Sequence, residues 1–225
     1  MEKVYVDKGL RTYFTNIYQY IATNLALAGA VAFAVASSST MFNLIVATPL
    51  RYVVFLAPLF IVIYMGSKVE SISAGKMQML YWIYGASIGA SLSSIFIVYS
   101  MDSIVRCFFM AAGVFMVAAL YGRTTSKDLS SMRSTLMIAL FGIIGVSLVN
   151  MFLHSSSLQY LLSIVIVVVF SGYIAYDMQQ LLSIYFTRQS DEMIEKISIM
   201  GALHLFIAIV NIFIALLQLF GRRRS

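Results

Sequence analysis

The chain has 225 residues, 61% hydrophobic and 11% charged, with mean hydropathy +0.91. That excludes an ordinary soluble domain, where about a quarter of residues carry charge. The net charge of +6 is not read as a nucleic-acid signal, because in so apolar a chain Lys and Arg mark cytoplasmic loops. A single cysteine, Cys107, excludes an internal disulfide or a Cys-rich metal site and reads as a small buried hydrophobe.

The opening "MEKVYVDKGLRTYF" lacks the apolar core and small-residue cleavage site of a signal peptide. The first span is therefore expected to act as the insertion signal. Seven long uncharged runs predict seven membrane spans in one polytopic domain, residues 1–225. The first covers 17–37 and ends at a Ser/Thr break, "SSST". The second covers 49–66, with Thr48 as N-cap, Pro49 at the first helical position and Pro58 kinking the middle. The third, 77–101, holds Gly85 and Gly89 as a GxxxG pair, a spacing that lets two helix backbones approach closely. The fourth covers 103–122, with Gly122 as a helix stop. The fifth covers 134–153 and ends at "HSSS", where His154 is solvated. The sixth covers 158–182. The seventh covers 197–220 and is entered by "SDEMIEK", where Ser190 caps and Asp191 and Glu192 suit a helix N-terminus.

Counting Lys and Arg on alternate sides puts ten on the N-terminal side and five on the other, which predicts a cytoplasmic N-terminus. The tail "GRRRS" dissents. Either it is tolerated outside, or one hydrophobic segment re-enters the membrane.

Asp177 is the one formally charged residue between Ser134 and Thr187. A carboxylate at the centre of a span costs about 2.5–3.5 kcal/mol, less near an end, so its presence there points to an ion or proton site. The bland alternative is a carboxylate that only fixes helix packing. Tyr173 and Gln180 share its helical face. A second stripe, Gly201, His204, Ala208, Asn211, Ala215 and Gln218, runs along the seventh span and is expected to turn inward. His204 could titrate near neutral pH, and Asn211 reads as packing glue. "YGRTTSKDLSSM", 121–132, reads as a polar cytoplasmic connection whose cations can meet anionic lipid heads.

Four stretches in order, "ALYGRTTSKDLSSM", "GIIGVSLVNMFL", "SGYIAYDMQQLL" and "ALHLFIAIVNIFIALLQLFG", resemble the Bax inhibitor motif family of membrane proteins, chiefly over 119–221. The resemblance implies an all-α bundle of seven transmembrane helices with the last helix central. It implies a pH-gated cation leak, calcium favoured, without a bound cofactor. It also implies an acidic pair: one member matches Asp177, after Tyr176, while Ala208 stands where the other belongs. Two carboxylates sharing a proton need both partners. His204, one turn from Ala208, is the candidate substitute partner for Asp177. The family's basic latch near the end of the second helix has Lys68 as its nearest match.

Three further readings compete with the leak. A non-conducting membrane regulator would act through protein partners, for example on membrane protein quality control. An enzyme is not expected, since no "GxSG"-type stretch accompanies His204 and the serines of 87–94. A retinal protein is disfavoured because the seventh span has no Lys for a Schiff base. The absence of a targeting segment and the short tails point to a bacterial plasma membrane.

Overall fold

A computed structural model describes residues 2–187 and 190–224, with side chains from residue 8 onward. Of the cations counted above, Arg188 and the side chain of Lys3 therefore lie outside the described residues. Nine helices follow in order among the described residues: α1 (Glu2–Ser37), α2 (Ser39–Val46), α3 (Leu50–Ser67), α4 (Ala74–Leu92), α5 (Ile95–Val98), α6 (Met101–Thr124), α7 (Met132–Leu153), α8 (Ser156–Tyr185) and α9 (Asp191–Phe220). Seven segments are long and apolar enough to cross a bilayer: one each in α1, α3, α6, α7, α8 and α9, and the third in α4 with α5. The chain is an all-α membrane protein.

Local chemistry sets the helix ends. Ser38 accepts the N–H of Met41 through its hydroxyl, Ser73 that of Lys76, Ser155 that of Leu158 and Ser190 that of Met193. Each satisfies one of the N–H groups a helix start leaves unpaired. The Ser190 cap is the expected one, and it starts α9 at Asp191 rather than at 197. "SSST" is not a simple break, because Ser38 caps the extra helix α2. The third span is interrupted at Ser93 and Ser94, where the Ser93 hydroxyl turns back to the carbonyl of Ala90. Gly122 does not stop its helix. It keeps an ordinary helical turn, α6 runs on to Thr124, and the left-handed helix end belongs to His154 instead, at φ 50°.

Two compact units partition the chain. Unit 1 comprises Met1–Val98 with Thr187–Phe206, and unit 2 comprises Tyr99–Phe186 with Ile207–Ser225; α9 contributes to both.

In unit 1, α1 and α4 run parallel, with Gly85 facing Asn24 and Gly89 facing the backbone of Ala28. A Cβ at either glycine would overlap those atoms: Gly89 lets the two backbones approach closely, as expected, while Gly85 makes room for the Asn24 side chain. Asn24, fully buried, donates from Nδ2 to the Tyr81 carbonyl at 3.2 Å, and the Tyr81 hydroxyl donates to the Tyr20 carbonyl at 3.0 Å. Pro58 lies inside α3 and cannot donate an N–H to the carbonyl of Val54, four residues back. The Ser91 hydroxyl from α4 reaches that carbonyl at 3.1 Å. Phe206 packs edge-on against Tyr81 and Tyr84, with ring centroids 6.5 and 5.7 Å apart.

In unit 2, the tail is tied back to the start of α6. Ser100 N–H donates to the Arg222 carbonyl at 3.0 Å, Arg222 N–H donates to Ser103 Oγ at 3.0 Å, and Tyr99 pairs with Arg223 as a short antiparallel bridge. At the same end Gln159, near the start of α8, donates to Gln218 near the end of α9 at 2.7 Å. Direction thus alternates through α6, α7, α8 and the unit's part of α9. No segment of this unit turns back midway, so the tail emerges beside the start of the fourth span. Cys107 is buried, with its thiol 3.6 Å from the Leu216 carbonyl.

The last helix is the most enclosed span: 61% of its most apolar stretch is buried, against 33% or less in the others. Its apolar face, Leu205, Phe206, Ile209 and Leu216, is buried as fully as Gly201, Ala208 and Ala215. Of the stripe expected to turn inward, His204 and Gln218 are exposed and Asn211 is half-buried.

Candidate functional site

α8 has 30 residues and so measures about 45 Å, against a hydrocarbon core of about 30 Å. Its last turns therefore stand clear of the apolar layer, and two contacts fix where Asp177 falls. The Ala175 carbonyl packs onto Gly122, two residues from the end of α6. Gln179 Oε1 accepts the Leu129 N–H at 2.7 Å, and its Nε2 donates to the Lys127 carbonyl at 2.8 Å. Asp177, between them, sits at the level of the α6–α7 connection, at one mouth of the unit.

Ala175 and Gln179 are four residues apart and share the face of α8 that meets α6 and its connection. At 100° per residue, Asp177 lies about 200° round from Ala175 and points away from them. It is half-buried, and within its own unit it forms no hydrogen bond or ion pair among the described residues. Tyr173, one turn back and also half-buried, shares this face of α8. Its ring packs against Phe170, centroids 6.0 Å apart. Gln180 is half-buried as well, and its Nε2 donates to Ser130 Oγ at 3.2 Å.

The other sequence candidates lie on α9. His204 falls in unit 1 and Asp177 in unit 2. His204 is exposed, and within its own unit it forms no hydrogen bond among the described residues. Asn211 donates from Nδ2 to the carbonyl of Ile207 on its own helix at 2.8 Å, and Ala208 is buried. Lys68 ends α3, its N–H turned back to the Tyr64 carbonyl. His154 is exposed, its ring nitrogen 3.1 Å from the Phe152 carbonyl.

Two features of unit 2 are absent from the sequence reading. One is the clamp made by Gln179 on the α6–α7 connection. The other is a chain of amides at the far end of α8. Asn150 donates to Gln159 at 3.1 Å, while Gln159 Nε2 and Ser163 Oγ both donate to Gln218 Oε1, at 2.7 and 2.8 Å. The i, i+4 pair of Gln159 and Ser163 was the available signal, hidden because neither is charged. Ser163 to Asp177 is 14 residues, about 21 Å along the helix, so the two polar groups of unit 2 flank most of an apolar layer.

Outside the membrane, the Ser130 side chain and then its backbone N–H, at 2.9 Å, hold the exposed Asp128 carboxyl below its usual range. Among the described residues no three His, Cys, Asp or Glu side chains cluster as a metal cage.

Seven spans, one acid at the level of a loop, and amides at the opposite end define a polytopic helical membrane protein with polar groups at both faces. A family model described as "Inhibitor of apoptosis-promoting Bax1" matches residues 10–225. The chain belongs to this Bax inhibitor family. It is 38% identical over 220 residues to the inner membrane protein YbhL of Escherichia coli strain K12, covering 96% of this chain and 94% of YbhL. It is likewise 38% identical over 219 residues to the protein RP147 of Rickettsia prowazekii, covering 97% and 93% of the two chains. A Caulobacter vibrioides protein is 35% identical over 230 residues, covering 98% and 92%.

Proposed function

We propose that the protein is a pH-sensitive cation leak of a bacterial inner membrane, with calcium favoured and the N-terminus cytoplasmic. The observation that carries the reading is Asp177: a half-buried carboxylate on a spanning helix, unpaired within its unit, level with a loop. A structural acid satisfies its oxygens with neighbouring donors. One that keeps them free is available to a cation. Calcium takes several hard oxygen ligands, so Asp177 with the Gln180 carbonyl and water makes a weak, transient site. Weak binding is what conduction requires. Protons compete for the same carboxylate, which supplies the pH sensitivity. In this reading Tyr173 orders the neighbourhood of Asp177, Asn211 keeps the α9 face regular, and His204 is the second titrating group where the family's other acid is replaced by Ala208.

The test is calcium flux from proteoliposomes across roughly pH 5.5 to 8, where histidine also changes charge. Wild type leaks and responds to pH; Asp177→Ala changes both. Unchanged flux and an unchanged pH profile in that variant refute the role. His204→Ala shifts the profile if the imidazole takes part, and an identical profile removes it. A non-conducting regulator acting on protein partners gives no leak in any sample. The cytoplasmic N-terminus, argued from the ten-to-five excess of Lys and Arg, is checked by labelling a cysteine placed at residue 3 in intact cells.

A further inference from the structure

We infer that unit 2 holds a seat for an acyl chain of an anionic phospholipid, in the groove between α6 and α8 beside the α6–α7 connection. The groove is an open cavity of about 710 Å³ with an almost wholly apolar wall, lined among others by Met110, Gly113, Tyr121, Leu129, Met132 and Gly172. Glycine makes it hollow: a Cβ at Gly113 would meet nothing within 4 Å.

Its length suits one leaflet. From Met110 to Tyr121 is 11 residues, about 16 Å along α6, close to half the hydrocarbon thickness of about 30 Å. Its charge suits an anionic head. The segment 121–133, which supplies the mouth, carries Arg123, Lys127 and Arg133 against the single acid Asp128. That acid is occupied by its own loop, accepting the Ser130 N–H at 2.9 Å. Lys127 and Arg133 are exposed and form no ion pair within the unit among the described residues. A phosphodiester anchored there places its chain along the groove.

A transmembrane helix from a second copy fits less well. It would have to continue through both leaflets, past the inner end of the groove, and it would gain nothing from the cations. The seat does not depend on the leak proposed above, since it uses neither Asp177 nor His204.

The experiment is native mass spectrometry of the full chain in detergent, titrated with phosphatidylglycerol or phosphatidylcholine of the same chains. A surface cation is worth about fivefold in binding to an anionic lipid. Phosphatidylglycerol should therefore be retained about tenfold or more over phosphatidylcholine. Lys127→Ala with Arg133→Ala should abolish the preference, and Lys127→Arg with Arg133→Lys should keep it. Gly113→Leu, whose Cβ would meet nothing within 4 Å and whose branches enter the groove, should weaken both lipids while the protein still unfolds cooperatively near the wild-type temperature. Equal retention of the two lipids by wild type overturns the proposal. So does unchanged retention in Gly113→Leu, which means a headgroup contact without a seat. Displacement by inorganic phosphate alone overturns it in favour of a free-anion site. Loss of a dimer in Gly113→Leu overturns it in favour of a second copy.

Discussion

Replacing Gly122 with alanine tests whether backbone contact holds α6 to α8. A Cβ built at Gly122 overlaps the Ala175 carbonyl oxygen and lies 2.7 Å from both the carbonyl carbon and Cα of Ala175. Carbon atoms rest at about 3.5–4.0 Å, so the helices must part by roughly 0.8 Å or more. A gap of that size forfeits a quarter to a half of the dispersion energy of the atoms that separate. Backbone on the far side cannot swing away as a side-chain tip would. Overpacking of this kind costs about 1–3 kcal/mol. The gain in helix propensity from Gly to Ala returns up to about 1 kcal/mol. The net loss expected for Gly122→Ala is about 1–2 kcal/mol. Gly113→Ala, on the same helix with open space around it, keeps the propensity gain and is expected to be neutral or slightly stabilised. Thermal unfolding in one detergent, followed by size-exclusion recovery after heating, compares the two. If Gly122→Ala survives heating as well as Gly113→Ala, the close approach of α6 and α8 is not what holds them.

Three other outcomes are expected. Gln179→Ala removes both hydrogen bonds that pin the α6–α7 connection, at about 1 kcal/mol each. Trypsin should then cut after Lys127 faster than in wild type, and an unchanged rate would mean that the clamp does not restrain the loop. Ser91→Ala strands the Val54 carbonyl that Pro58 already deprives of its helical donor, costing about 1–3 kcal/mol; Ser91→Ala combined with Pro58→Ala should recover most of it, because the helix then supplies the missing N–H. Asp128 has a depressed pKa, so its contribution to folding is present above the unfolded value and fades as pH falls through the folded one. Ser130→Ala should move the carboxyl part of the way back towards the ordinary value by NMR titration, and no movement would dismiss the Ser130 hydroxyl as the larger cause.

The spans were legible because hydropathy is a property of each stretch alone. Ser190 and the close approach at Gly89 were readable too, since caps and close approaches depend on residue type at fixed local spacing; Pro49 instead stands at the N-cap, one residue before α3, where Thr48 was expected. Gly122 was misread for an instructive reason. Glycine serves both as a helix stop and as a packing surface, and only the position of Ala175 decides between them. The polar stripe of α9 was only partly legible: Gly201, Ala208 and Ala215 on it are buried, but so are Leu205, Phe206 and Leu216, while His204 and Gln218 are exposed.

Asp177 stood out in the sequence because a charge in an apolar run is costly wherever it lies. Its height in the membrane and its freedom from hydrogen bonds within unit 2 were not readable, because both depend on residues some 50 positions away, at Gly122, Lys127 and Leu129. The same holds for the two glutamines that follow it. In sequence Gln179 and Gln180 are equivalent neighbours of an acid. In the fold, the 100° step of the helix turns Gln179 onto the α6–α7 connection, about 200° round from Asp177, while Gln180 stays on the Asp177 side and reaches Ser130. Composition determined that seven stretches of this chain are long and apolar enough to cross a membrane, since hydropathy is read from each stretch alone. Tertiary packing decided which polar side chains bind the protein to itself and which remain open, because a hydrogen bond needs a partner that only the fold brings near.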